Sequence, residues 1–156
     1  MSAHYYVAKE QAAYYKELKA NLIESECLVK CDFAQNFSNT HQNEIQSAHW
    51  TKVQSTVFTI IIYLIKDGVV NSKSLCVISD DLNHDAAAID FFIEKILEKL
   101  YIFIPKLKKL KFFSGGRPGH LKNMYNFANI SMFPADYGLD IEWHFWVTCH
   151  GKNAFD

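Results

Sequence analysis

The feature that most constrains the fold is one amphipathic run set between two β-rich stretches. From Asp85 to Ile104, apolar residues recur three and four positions apart at Ile89, Phe92, Ile93, Ile96, Leu97 and Leu100, and Pro105 closes the run. That spacing predicts an amphipathic helix of about five turns. Ser74–Ser79 (SLCVIS) before it and Leu107–Ser114 (LKKLKFFS) after it read as strands. A strand–helix–strand crossover adds a parallel strand to the sheet, with the helix on a sheet face. A second unit of the same kind follows. A helix is expected from about Pro118 to Ile130, with proline at its first turn. Asp136–Gly138 then turns the chain into an alternating strand, Leu139–Thr148 (LDIEWHFWVT).

The earlier stretches carry no intervening helix. Glu26–Phe37 (ECLVKCDFAQNF) reads as a strand holding a single acid, Asp32. His49–Ile65 is too rich in Val, Thr, Ile and aromatics for a comfortable helix. A polar turn at Ser38–Asn43 and an Asp67-Gly68 turn separate these strands, so an antiparallel meander is expected. Val57, Ile60, Ile62 and Leu64 should be buried, because so apolar a stretch cannot stay wet. Residues 5–20 read as a leading helix. The fold class is therefore α/β, a five-stranded mixed sheet of a three-strand antiparallel meander plus two parallel strands, flanked by helices.

Composition fits one domain, with 1–24 as leading helix and 25–156 as core, and with truncation expected at both ends. Hydrophobic residues make up 49% of the 156, against 6 Gly and 3 Pro, which excludes a disordered or fibrous chain. A net charge of −1 gives no whole-molecule attraction for polyanions, so any such site is local. The 4 cysteines, at 27, 31, 76 and 149, stand in or beside apolar runs and read as buried, reduced thiols of an intracellular protein, nuclear or cytoplasmic. The longest apolar run, Val57 to Ile65, is at most half a membrane span, so no membrane partner is expected.

Four segments carry a resemblance. CDFAQNF (31–37), VISDDLNHD (77–85), FFSGGRPGHLKNMYNF (112–127) and EWHFWVTCHGKNAFD (142–156) together resemble the ribonuclease H-like catalytic core of DDE-type transposases from an uncharacterised mobile-element family. The similarity spans roughly residues 26–156, in the right order, and the element order agrees. It implies metal-dependent DNA strand cleavage and transfer, with two Mg²⁺ or Mn²⁺ ions about 3.5–4 Å apart. Hard cations take oxygen ligands, so carboxylates from separate elements must converge. By resemblance Asp32 is the first metal-binding acid and Asp156 aligns with the last, while Arg117, Lys122, Asn123, His150 and Lys152 would contact DNA.

The pattern breaks at its second acid. Where the family has Phe-Ser-Asp-Gly, this chain has Phe113-Ser114-Gly115-Gly116, and Gly115 can ligate nothing. His120 replaces the usual Gln and Cys149 a small residue. The expectation is a degenerate transposase-derived domain in which the Asp32 and Leu107–Ser114 strands are neighbours, Asp32 lies beside Gly115, and Gly115 holds a positive φ. The alternatives are a non-catalytic nucleic-acid-binding or protein-interaction module, and an active nuclease combining Asp32 with Asp81 or Asp85 and a downstream acid. A homo-oligomer is compatible with each.

Simpler roles compete for several of these residues. Asp80, Asp81 and Asp85, with His84, precede a helix and suit capping. Lys106, Lys108, Lys109 and Lys111 form either a phosphate-tracking strip or a solvated edge. Trp50, Trp143 and Trp146 suit sheet packing better than base stacking.

Overall fold

Asp67 and Gly68 have φ of 55° and 74°, the left-handed pair that a two-residue hairpin turn demands. From this turn two long antiparallel strands zip together, β3 (Gln54–Lys66) and β4 (Val69–Ser79), registered from Lys66 opposite Val69 to Thr56 opposite Ser79. The turn therefore carries the polar Asn71–Lys73 segment into β4, which begins five residues before the apolar SLCVIS core of that strand.

The computed structural model describes residues 3–39, 53–116 and 121–147. A helix α1 (Ala3–Ala20) leads into β1 (Glu26–Phe33) and a two-residue strand β2 (Phe37–Ser38). After β3 and β4 come α2 (Ala86–Phe103), β5 (Lys109–Gly115), α3 (Met124–Tyr137) and β6 (Asp140–Trp146). The described sheet has six strands rather than five, because Glu26–Phe37 divides into β1 and β2. The division falls at Ala34–Asn36, where Asn36 Oδ1 turns to His84 Nε2 at 3.1 Å.

Across the sheet the order is β4, β3, β1, β5, β6, with β2 extending the β1 side of β3. Strands β1, β3 and β4 pair antiparallel, and β5 and β6 continue parallel to β1 on its other side. Alternation assigns the two faces. Cys27, Val29 and Cys31 of β1 join Phe58, Ile60, Ile62, Leu64, Leu110 and Phe112 in the main core, closed by Ile89, Phe92, Ile93, Ile96, Leu97 and Leu100 of α2 and Phe133 of α3. On the other face Leu28, Phe113 and Trp146 pack with Leu22 and, from α1, Tyr15 and Leu18.

Three expectations need correction. Val57 is only half-buried: it differs in parity from Ile60, Ile62 and Leu64 and so takes the α1 face. Helix α3 starts at Met124 rather than Pro118, because Asn123 caps it by accepting the Asn126 N–H on Oδ1 at 3.0 Å. It runs past Ile130 and through Pro134 to Gly138, whose φ of 65° ends it while its N–H bonds back to the Pro134 carbonyl. Cys76 is exposed on β4, whereas Cys27 and Cys31 are buried; burial pushes the Cys27 thiol up to about 12 and the Cys31 thiol up as well. Residues 49–52, Pro118 and Cys149 lie outside the described residues.

Candidate functional site

Chain direction on the sheet selects one place for a site. The meander runs outward from β1 through β3 to β4, then the chain crosses back to β5 on the far side of β1. In open α/β sheets, ligands gather at such a switch point, beyond the carboxyl ends of the parallel strands. Asp32 stands there, next to last in β1.

The register pairing Cys31 with Ser114 brings Gly115, the last residue of β5, alongside Asp32. A Cβ added to Gly115 would lie 2.9 Å from Asp32 Oδ2 and 3.1 Å from Oδ1. The carboxylate thus leans into the space a side chain at 115 would fill. Gly115 has strand geometry and no positive φ, contrary to the expectation from sequence, so its backbone suits any L residue.

The Asp32 side chain is half-buried on the α1 face, where its Oδ1 accepts the Phe33 N–H at 2.9 Å. The Thr59 hydroxyl donates to the Asp32 carbonyl at 3.0 Å and ties β1 to β3 at this point. Two residues back on the same face is Lys30, 4% exposed, its Nζ 5.8 Å from the centre of the Trp146 ring. Trp146 is the β6 neighbour of Gly115. The row Asp32, Gly115, Trp146 therefore crosses three strands with a notch at its centre.

Burial raises the Asp32 carboxyl above its ordinary 3.8, and the Phe33 N–H and the Lys30 charge pull it back only in part. A folded-state value above the unfolded one means that protonated Asp32 favours the fold. That contribution is complete below 3.8 and is lost as pH rises through the raised value. Asp32→Asn, which keeps the acceptor for Phe33, is expected to raise the melting temperature at pH 7 by a few degrees, with the gain shrinking towards pH 3. A lower melting temperature at pH 7 would make Asp32 a structural partner instead.

As a donor set the notch falls short of a divalent pair. It offers one carboxylate beside a glycine, and among the described residues no group of three or more His, Cys, Asp or Glu converges to hold an ion. Asp156, Arg117, His150 and Lys152 lie outside the described residues.

The remaining candidates have local roles. Asn123 caps α3, and exposed Lys122 places Nζ 5.7 Å from the centre of the Phe145 ring. Asp85 caps α2 by accepting the Ala88 N–H at 2.9 Å, and Asp81 accepts the Asn83 N–H at 2.9 Å. His84 leaves these acids, stacks on Phe33 at 4.1 Å and reaches buried Thr56 Oγ1 at 3.2 Å. Asp81 and Asp85 border a groove of about 250 Å³ with Phe91 and Phe92, on the α2 side of the sheet and away from the Asp32 carboxylate.

The lysine strip is at the wrong end. Lys109 and Lys111 open β5, so Lys111 sits four residues, about 13 Å, before Gly115. Both are already paired, Lys111 with Glu26 at 2.6 Å and Lys109 with Glu142 at 2.5 Å and Asp140 at 3.3 Å. Sequence reading gives Lys30 no role and Trp146 only sheet packing; the signal for Lys30 is its Lys-x-Asp spacing with Asp32, which puts both on one strand face.

Fold and site together define a mixed α/β domain with the Asp32 carboxylate at the switch point of its sheet. Within that class the chain belongs to the family described as a domain of unknown function, DUF8701, which matches residues 11–156. No curated protein and no solved structure matches it. Among the described residues, no helix is long and apolar enough to cross a membrane.

Proposed function

We propose that this is a ribonuclease H-like domain of transposase descent whose strand-cleaving site has lost its second acid. The observation that carries this reading is the contact between Asp32 and the space above Gly115, at the carboxyl ends of adjacent parallel strands. The resemblance calls for two metal-binding acids at those positions, and their adjacency follows from strand register, independently of the motif wording. A meander continued by two parallel strands agrees with the same reading. The strained ionisation of Asp32 also suits a residue inherited for chemistry: an acid held above its ordinary pKa by burial does not serve the fold.

Asp81 and Asp85 give less support to an intact nuclease. They follow β4, which is separated from β1 by β3, and their carboxylates are spent on the α2 approach.

The chain incubated with single- and double-stranded DNA and Mg²⁺ or Mn²⁺ is expected to cut no faster than buffer. Most of such catalysis is positioning and charge stabilisation, so one missing ligand lowers the rate by orders of magnitude. Cleavage abolished by Asp32→Ala would overturn the degenerate reading and return Asp81 and Asp85 as partners.

A further inference from the structure

The two edges of the sheet are finished differently. At β6, Gln11 of α1 covers the outer backbone: its Nε2 donates to the Phe145 carbonyl at 2.7 Å, and its Oε1 accepts the Val147 N–H at 2.9 Å. At β4 the described residues pair only on the β3 side.

Backbone direction along β4 follows from its neighbours. The Ala34 N–H donates to the Val57 carbonyl, so Val57 and every second residue after it turn towards β1. Phe58, Ile60, Ile62 and Leu64 then bond to Val77, Leu75, Lys73 and Asn71 of β4. The N–H and C=O groups of the alternate residues, Val70, Ser72, Ser74, Cys76 and Ile78, point out from the edge. Their side chains share the α1 face; Cys76 is exposed, and Ile78 is 70% exposed. None of the five is charged, although natural edges of this length are usually guarded by charge, proline or a bulge.

The pattern is also self-complementary. About Ser74 it reads apolar, small, small, small, apolar, so an antiparallel copy centred there sets Val70 against the partner's Ile78 and Ser72 against the partner's Cys76. Lys73, the only charge in β4, then faces the partner's Leu75 and not the partner's Lys73. A two-fold interface requires this match of a surface to itself, which an arbitrary partner strand does not.

We infer that β4 is a homodimerisation edge, pairing antiparallel with β4 of a second copy about a two-fold axis at Ser74. Five outward-facing residues from each copy supply about ten inter-strand hydrogen bonds and join the two sheets into one.

Sedimentation equilibrium of the full chain tests this. The chain is expected to be a dimer, and Ser74→Pro is expected to raise the dissociation constant at least about tenfold with unchanged circular dichroism. The Ser74 N–H points away from β3, so proline there spares the β3–β4 ladder. If Ser74→Pro unfolds the chain, the register is read by cross-linking. Under mild oxidation Ser74→Cys in a Cys76→Ser background should give a covalent dimer, because directly opposed Cα atoms at about 5.5 Å suit a disulfide. Cys76 of the unaltered chain should not link to the partner's Cys76. A monomeric unaltered chain, a dimer indifferent to Ser74→Pro in a folded protein, or a Cys76–Cys76 link in place of the Ser74→Cys one would each overturn the inference.

Discussion

Ile62→Asp is expected to unfold the chain or to cost several kcal/mol of stability. Ile62 is fully buried in the core that β1, β3 and α2 share. An aspartate there is set into apolar surroundings: Val29 is its β1 neighbour, and the cation across from it, Lys73 of β4, is exposed near the edge and would have to leave water to pair with it. Leaving a charge buried and unpaired costs about 3–5 kcal/mol, a large share of the 5–15 kcal/mol that holds a typical domain together. Chemical denaturation read by circular dichroism measures the loss. Val57→Asp, on the half-buried face of the same strand, should cost far less, and equal losses would contradict the assignment of faces.

A second large effect is expected at Gly116. A Cβ there would run into the Trp146 carbonyl oxygen, and backbone of a neighbouring strand cannot step aside as a side chain can. Gly116 has no positive φ, so the demand for glycine is one of space. Gly116→Val should force β5 and β6 apart at the site end, at a cost of about 3 kcal/mol or more. The change should also be visible in tryptophan fluorescence, since Trp146 and Trp143 both lie on β6. Gly115→Ala is the informative comparison: the atoms nearest its Cβ belong to the Asp32 carboxylate, which can rotate. A Gly116→Val chain as stable as Gly115→Ala would contradict the account of this strand junction.

Most of the fold was legible because it rests on local periodicity. Ile89 to Leu100 announced α2 within one residue at either end, and Asp67-Gly68 announced the hairpin. What sequence missed follows from long-range pairing or side-chain competition. Val57 looked equivalent to Ile60 until strand parity assigned it to the other face. The strand expected from sequence at Ser74–Ser79 stops short of Asn71–Lys73, which the hairpin register pairs with Ile62–Leu64. Helix α3 was displaced because Asn123 is the better cap and Gly138 the better stop, whereas Pro118 had suggested an earlier start. At the site, Asp32 was conspicuous as an acid in an apolar strand, and its closeness to Gly115 was anticipated from motif order. The Lys30–Trp146 contact and the engagement of Lys109 and Lys111 in ion pairs depend on which residues three strands bring together, and no local pattern encodes that.

The proposed function makes the Asp32–Gly115 pair a metal site with its second acid removed. Gly115→Asp restores that acid in strand geometry and displaces the Asp32 carboxylate from the space it now fills. Without metal, two adjacent carboxylates repel and one takes up a proton; a divalent cation relieves that repulsion. Calorimetric titration with Mn²⁺ compares the unaltered chain, Gly115→Asp, and Gly115→Asp combined with Asp32→Asn. Gly115→Asp is expected to bind Mn²⁺ at least about tenfold more tightly than the unaltered chain, a gain of about 1.4 kcal/mol, and the combined variant should lose that gain. Binding by Gly115→Asp that is no tighter than the unaltered chain, or a gain that survives Asp32→Asn, would contradict the account.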